Sequence, residues 1–206
     1  MLIDPDSLDA VAVYRLMTSM IVPRPIAWVG THDGSGSPTG DNLAPFSYFM
    51  GVSSRPPLLA ISVARLKGGG LKHTARNILA TKEFSVSIPS VADLDAMHAT
   101  GAPWEQAEFD AVGIVRAPGE RIRAPRPAQA ACTLECVLHE ALDLGSTHLI
   151  IGRVVMFVAA EGALHNGAVD ITTLAPVARL GADAYAALGE IFERGRRTGG
   201  DGGLPK

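Results

Sequence analysis

Two runs of this 206-residue chain bring together residue types that could do chemistry. The first is "SVARLKGGGLKHTARN", residues 62–77, in which Lys67 precedes three glycines and Lys72, His73 and Thr74 open a helical pattern. A helix N-terminus offers free backbone N–H groups and the positive end of the peptide dipoles. With lysines and a threonine hydroxyl beside it, such a run suits a phosphate, although a flexible loop and an ordinary helix start would read the same way. The second is "DNLAPFSYF", residues 41–49. Asn42 and Ser47 can hydrogen-bond the edge of a planar heterocycle, and Ala44 is small enough to let a ring approach the chain. Pro45 cannot donate to a ladder, so it belongs on a sheet edge. Upstream, "VPRPIAW" fixes Arg24 between two prolines, either as a solvated strand end or as a phosphate or ribityl contact. One phosphate, a polar chain and a broad flat ring describe flavin mononucleotide, FMN.

Other chemistries lack their residues. No G-x-S-x-G occurs, the six histidines (32, 73, 98, 139, 148 and 165) are scattered, and neither H-x-x-x-H nor H-E-x-x-H is present. A zinc site from His98, Cys136, His139 and His148 has no supporting spacing. "GSGSPTG" has glycines but no helix after it, so it fails the context that a dinucleotide-binding fingerprint requires. A net charge of −3 with no basic run gives no nucleic-acid signal. No stretch approaches the ~20 apolar residues of a membrane span. The opening "MLIDPDSLDA" has no basic n-region, so a cytoplasmic protein is expected. Cys132 and Cys136, four residues apart on a strand, would lie ~13 Å apart, too far for a disulfide, and are expected as buried free thiols.

The elements that must position these groups are mostly strands. The pattern predicts a helix over 8–18, a hairpin of strands 25–31 and 42–46 joined by the turn "HDGSGSPTG", and a third strand over 56–64. A helix over 71–83 follows, then a short strand at "FSVSIPS" and a helix over 91–101 ended by Gly101. Further strands are expected over 130–142, 147–160 and 170–180. Short connections between consecutive strands favour an antiparallel barrel with peripheral helices over a doubly wound sheet. One domain is expected over 1–190, with 191–206 as a disordered tail.

The segments "VPRPIAWVGT", "NLAPFSYFMGVSSRPPLLAIS", "KHTARNI", "AEFDAVGI", "LEC", "HLIIGRVV" and "LAPVARLGADAY", in that order over roughly 10–188, resemble the flavin reductase-like family. The resemblance implies a mainly β fold with peripheral helices, a six-stranded antiparallel Greek-key split barrel, and a homodimer with FMN at or near the subunit interface. It implies that Asn42, Leu43, Ala44, Pro45 and Ser47 contact the isoalloxazine. The strand carrying Ser62, Val63 and Ala64 would follow the ribityl chain and phosphate. Lys72, His73 and Thr74 match a K-D-T phosphate-side motif, with His73 in place of the acid. Arg179, Gly181 and Tyr185 resemble a C-terminal R-L-G-G…Y, with Ala182 where a second glycine is common. The activity implied is NAD(P)H-dependent flavin reduction, with a monooxygenase as possible acceptor. A flavin-bound electron carrier without its own NAD(P)H site is the alternative.

Overall fold

The computed structural model describes residues 1–194. Its main sheet has seven strands: β1 (Ala27–His32), β2 (Asp41–Phe46), β3 (Phe49–Ser54), β4 (Pro57–Ala64), β5 (Glu83–Ser87), β6 (Cys132–Asp143) and β7 (Thr147–Ala159). The order across the sheet is β2-β1-β5-β6-β7-β4-β3, and every pair is antiparallel. Only Ser47 and Tyr48 separate β2 from β3, yet these strands lie at opposite edges of the sheet. The sheet therefore curls until its two edges meet at that dipeptide, and the seam between them is the split in the barrel. Ser62 N–H donates to the Tyr48 carbonyl at 2.9 Å and pins the seam to β4.

Alternation of side chains along the strands builds two cores. Val29, Phe46, Ile61, Val63, Phe84, Cys136 and Ile150 fill the barrel together with Ala75 and Ile78 of helix α2 (His73–Thr81). Trp28, Leu43, Met97, Phe109 and Ile114 fill the layer between the sheet and helices α3 (Leu94–Ala99) and α4 (Glu108–Ala111). β1 is buried at all six positions because it faces both cores. Gly152 on β7 is required by this packing: a Cβ there would lie 2.4 Å from Phe84 Cζ. Helix α1 (Ala10–Met20), capped by the Asp9 carboxylate accepting from Ala12 N–H at 2.7 Å, precedes the barrel.

The hairpin, the strands over 57–64, 83–87, 132–143 and 147–159, and the two free buried cysteines agree with expectation. Burial pushes both thiols above their ordinary pKa. Three expectations need correction. The main sheet has seven strands rather than six, because β3 pairs with β4 through Phe49↔Ile61 to Ser54↔Pro57. The strand expected over 170–180 is instead helix α5 (Ile171–Leu174), a turn, and a two-residue strand, Ala178–Arg179. That short strand pairs with Arg24–Pro25 and with Tyr185–Ala186 in a separate three-stranded sheet. Helix α2 stops at Thr81 because Lys82 takes a left-handed conformation (φ 64°). Residues 187–194 hold no helix or strand, and the expected tail over 191–206 lies outside the described residues from 195 onward. No helix among those described is long and apolar enough to cross a membrane.

Candidate functional site

The seam is where the chemistry-bearing residues gather. β2 is an edge strand, and its Leu43 N–H points away from β1, donating to the Glu108 carboxylate at 3.1 Å. Pro45, two residues on, has the same outward orientation, so its missing N–H costs no ladder bond. The arrangement also leaves no free donor on that edge for pairing with another chain. Arg116 holds α4 against β2 by pairing with Asp41 (2.9 Å) and Asp110 (2.7 Å) and by covering the Phe109 ring at 4.8 Å. Trp28 Nε1 donates to Thr100 Oγ1 (3.0 Å), which donates to the Met97 carbonyl (2.7 Å). This anchors the end of α3, and Gly101 then packs on Pro45: a Cβ at Gly101 would lie 3.5 Å from Pro45 Cγ and 3.2 Å from the His98 carbonyl.

Pro45 is the shared wall of three adjoining cavities. The first, about 500 Å³, is lined by Asn42, Ala44, Lys72, His73, Thr74 and Trp104 among others. The second, about 370 Å³, runs past Ser47, Ser62, Ala64, Lys72 and Thr147. The third, about 440 Å³, lies between α3 and the C-terminal hairpin. Each falls in the usual range for small-molecule sites.

The N-terminus of α2 opens into the first cavity. Its N-cap residue, Lys72, makes no side-chain cap, and the first helical bond is Arg76 N–H to the Lys72 carbonyl at 3.0 Å. The amides of His73, Thr74 and Ala75 therefore have no partner among the described residues. Thr74, 1% exposed, accepts from Asn42 Nδ2 at 2.9 Å. Its own hydroxyl proton then has no acceptor among the described residues, and neither does the Asn42 amide oxygen find a donor. A cluster of unused donors at a dipole-positive helix end, with the Lys72 ammonium and the His73 imidazole at its rim, fits a phosphate. Glu108 is the opposing charge in this cavity, and burial raises its carboxyl above the ordinary glutamate range, against the lowering effect of backbone N–H groups and of nearby His73.

The expected site residues divide accordingly. Asn42, Ala44, Pro45, Lys72, His73 and Thr74 meet in one cavity, and Ser47, Ser62 and Ala64 line its neighbour. Ser62 Oγ is paired with Thr147 Oγ1 at 2.7 Å. Leu43 and Val63 turn their side chains into the two cores, leaving only their backbone near the site. Lys67 sits on the exposed turn between Leu66 and Gly70 and lines none of the three cavities. Arg24 departs from its expected role as a ligand contact. It is 4% exposed, and its guanidinium donates to the carbonyls of Thr18, Ile21 and Leu180 and to Ser47 Oγ, clamping α1 and the C-terminal hairpin to the barrel. Trp104, Glu108, Gly101 and Thr147 were not foreseen as lining residues. "AEFDAVGI" holds Glu108, but nothing in that run says which strand it reaches.

A curled antiparallel sheet with an anion-ready helix end at its seam defines the class: a split-barrel fold of the kind found in flavin reductases. Residues 17–174 match the flavin reductase-like domain, and the chain belongs to that family. The structure is similar to nitrilotriacetate monooxygenase component B from Bacillus cereus, at 35% identity, 94% of this chain, 98% of that one and a TM-score of 0.87. It is also similar to 2-nitrobenzoate 2-nitroreductase from Pseudomonas fluorescens, at 26% identity, 96% and 97% coverage and a TM-score of 0.88. Among sequences, the reductase subunit of a stachydrine N-demethylase from Rhizobium meliloti is 31% identical over 82% of this chain and 68% of its own length.

Proposed function

We propose that this protein is an NAD(P)H-dependent FMN reductase of the two-component type, delivering electrons to a separate oxygenase. The observation that carries the reading is the unused donor set at the start of α2: the amides of His73, Thr74 and Ala75 and the Thr74 hydroxyl. Lys72 adds positive charge at the rim, and His73 a ring N–H. Asn42 offers its amide oxygen to a ring edge or ribityl hydroxyl, while Ala44 and Pro45 give the flat apolar wall that a ring needs. Ser47, Ser62 and Ala64 continue the same groove. When bound, the flavin supplies a ring that accepts a hydride from reduced nicotinamide and passes its electrons on. The chain's own task is then to hold, orient and expose one face, and direct hydride transfer asks for no side-chain base, in keeping with the site's composition.

Two relatives support the two-component reading by their descriptions: one is component B of a monooxygenase, the other the reductase subunit of an N-demethylase. The exposed apolar face of α1 supports a homodimer. Val11, Tyr14, Met17 and Met20 on it are 46–72% exposed, and Tyr14 also lines two of the three cavities. A second copy covering α1 would bury this apolar surface and close the site.

The test is anaerobic titration of the FMN-loaded protein with NADH and with NADPH, following the flavin's visible absorption. Bleaching by either donor at a catalytic rate supports the reductase. Reduction by dithionite but by neither nucleotide would assign the electron-carrier role instead.

A further inference from the structure

Trp104 is a large ring that packing of the fold does not explain. It stands in the loop between α3 and α4, 41% exposed, and belongs to neither core. The amides of Trp104, Glu105 and Gln106 have no acceptor among the described residues, so backbone bonding does little to set the path of this loop. The indole itself supplies the tie: Nε1 donates to the carbonyl of Ala99, the last residue of α3, at 2.9 Å. Held this way, the ring lines the first cavity together with Thr100, Gly101, Ala102 and Pro103, the run that leads into it. Gly101 packs on Pro45, so this run borders the cavity on the side of its apolar wall. The helix end is bordered instead by Lys72, His73 and Thr74, with Asn42 bonded to Thr74. Phe46, the other phenyl or indole ring at this cavity, belongs to the barrel core.

From this placement we infer that Trp104 is the aromatic cover of the flavin ring, contributing affinity for the isoalloxazine and none for the phosphate. The inference rests on the flavin reading of the cavity. An indole is neutral and has one donor, and here that donor is already used on Ala99, so the side chain has nothing to offer an anion. What it does offer is a wide π face. Ala44 and Pro45 give a flat apolar wall without one. A flat conjugated guest stacked on an aromatic side chain gains about 5- to 150-fold in affinity, the range found for nucleic-acid bases. The tie to Ala99 restrains the indole before the ligand arrives, so less side-chain freedom is lost on binding.

The experiment uses the full chain and the variants Trp104→Ala and Trp104→Phe, with FMN, riboflavin and inorganic phosphate as probes. Flavin affinities are read by equilibrium dialysis, and phosphate by its competition against FMN. Trp104→Ala should weaken FMN and riboflavin by the same factor, about 5- to 150-fold, and leave the phosphate inhibition constant within about 2-fold of wild type. Trp104→Phe keeps a π face and loses the tie to Ala99, so it should recover part of the loss. Emission from the bound flavin adds a readout that a merely structural role would not move. An indole in contact with the ring quenches it, so bound riboflavin should be brighter in Trp104→Phe than in wild type. Unchanged affinity for both flavins in Trp104→Ala overturns the inference, and so does a loss confined to FMN, which would put the residue at the phosphate. A loss shared by both flavins and phosphate, a Trp104→Phe protein no better than Trp104→Ala, or equal brightness in Trp104→Phe and wild type overturns it as well. Wild-type protein that binds neither flavin would instead remove the functional reading beneath it, an outcome distinct from all of these.

Discussion

Replacing Thr74 by valine removes one hydroxyl from the start of α2 while keeping the side chain's shape, and the structure fixes what should follow. Thr74 is 1% exposed, so valine fits the same space. The hydroxyl accepts from Asn42 at 2.9 Å and has its proton free to donate into the cavity. A hydrogen bond to a charged group contributes about 1.5–3 kcal/mol. Losing it should therefore weaken FMN binding about 10- to 150-fold, at about 1.4 kcal/mol per decade. Riboflavin, which has the same ring and ribityl chain but no phosphate, should bind the variant and the wild type alike. Fold stability falls separately, because Asn42 Nδ2 is left buried without a partner, at a cost of about 1–3 kcal/mol. Binding is therefore measured well below the variant's melting temperature, by fluorescence quenching with each ligand. Thr74→Ser keeps the hydroxyl and should stay close to wild type for both. Equal losses for FMN and riboflavin in Thr74→Val would refute the reasoning, since the phosphate would then not be what Thr74 serves.

Other consequences concern charge, packing and assembly. Glu108→Gln should strengthen FMN binding by removing a negative charge from the cavity that holds Lys72 and His73, read by the same titration. Because burial raises the Glu108 pKa in the folded state, its contribution to stability is full below the ordinary glutamate range and is lost as pH rises through the raised value. Glutamine does not ionise, so the variant's melting temperature should gain on wild type across that acid window and stay level above it; a gain that grows toward low pH would contradict this. Gly152→Ala places a Cβ 2.4 Å from Phe84 and should cost about 1–3 kcal/mol in denaturant unfolding, the usual scale of overpacking. Arg24→Met breaks four hydrogen bonds of a buried guanidinium and should lower the melting temperature, whereas direct phosphate binding by Arg24 would show instead as selective loss of FMN over riboflavin. Met20→Glu, at a position 72% exposed on α1, should halve the apparent mass in sedimentation, and a monomeric wild type would reject the dimer.

How far the residues themselves announced this site depends on the element. β1, β2 and α2 were legible because each carries a strong local pattern: β-rich runs on both sides of a glycine-serine turn, and a helical stripe starting after three glycines. Pro45 pointed to a sheet edge for a physical reason that the topology bears out. β3 was not legible. Its residues after Phe49 are all exposed, so no alternation of apolar and polar side chains marks it. Residues 171–174 misled through their β-branched content, "ITT". The stronger signal was Asp170, whose carboxylate accepts from Thr172 and Thr173 and caps α5, an arrangement that also holds its pKa down at about 2. Arg24 was misassigned because no local pattern reveals that its donors go to the carbonyls of Thr18 and Ile21 and to that of Leu180, 156 residues away. Glu108 and Trp104 reach the cavity only through the docking of α3 and α4 on the sheet, which the chain's local pattern does not encode.

The most direct test is a crystal structure of the protein with FMN. The account predicts the phosphate against the amides of His73, Thr74 and Ala75 and the Thr74 hydroxyl, with the ring on Ala44 and Pro45 at the barrel seam. A phosphate held elsewhere, with those amides facing solvent, would contradict it.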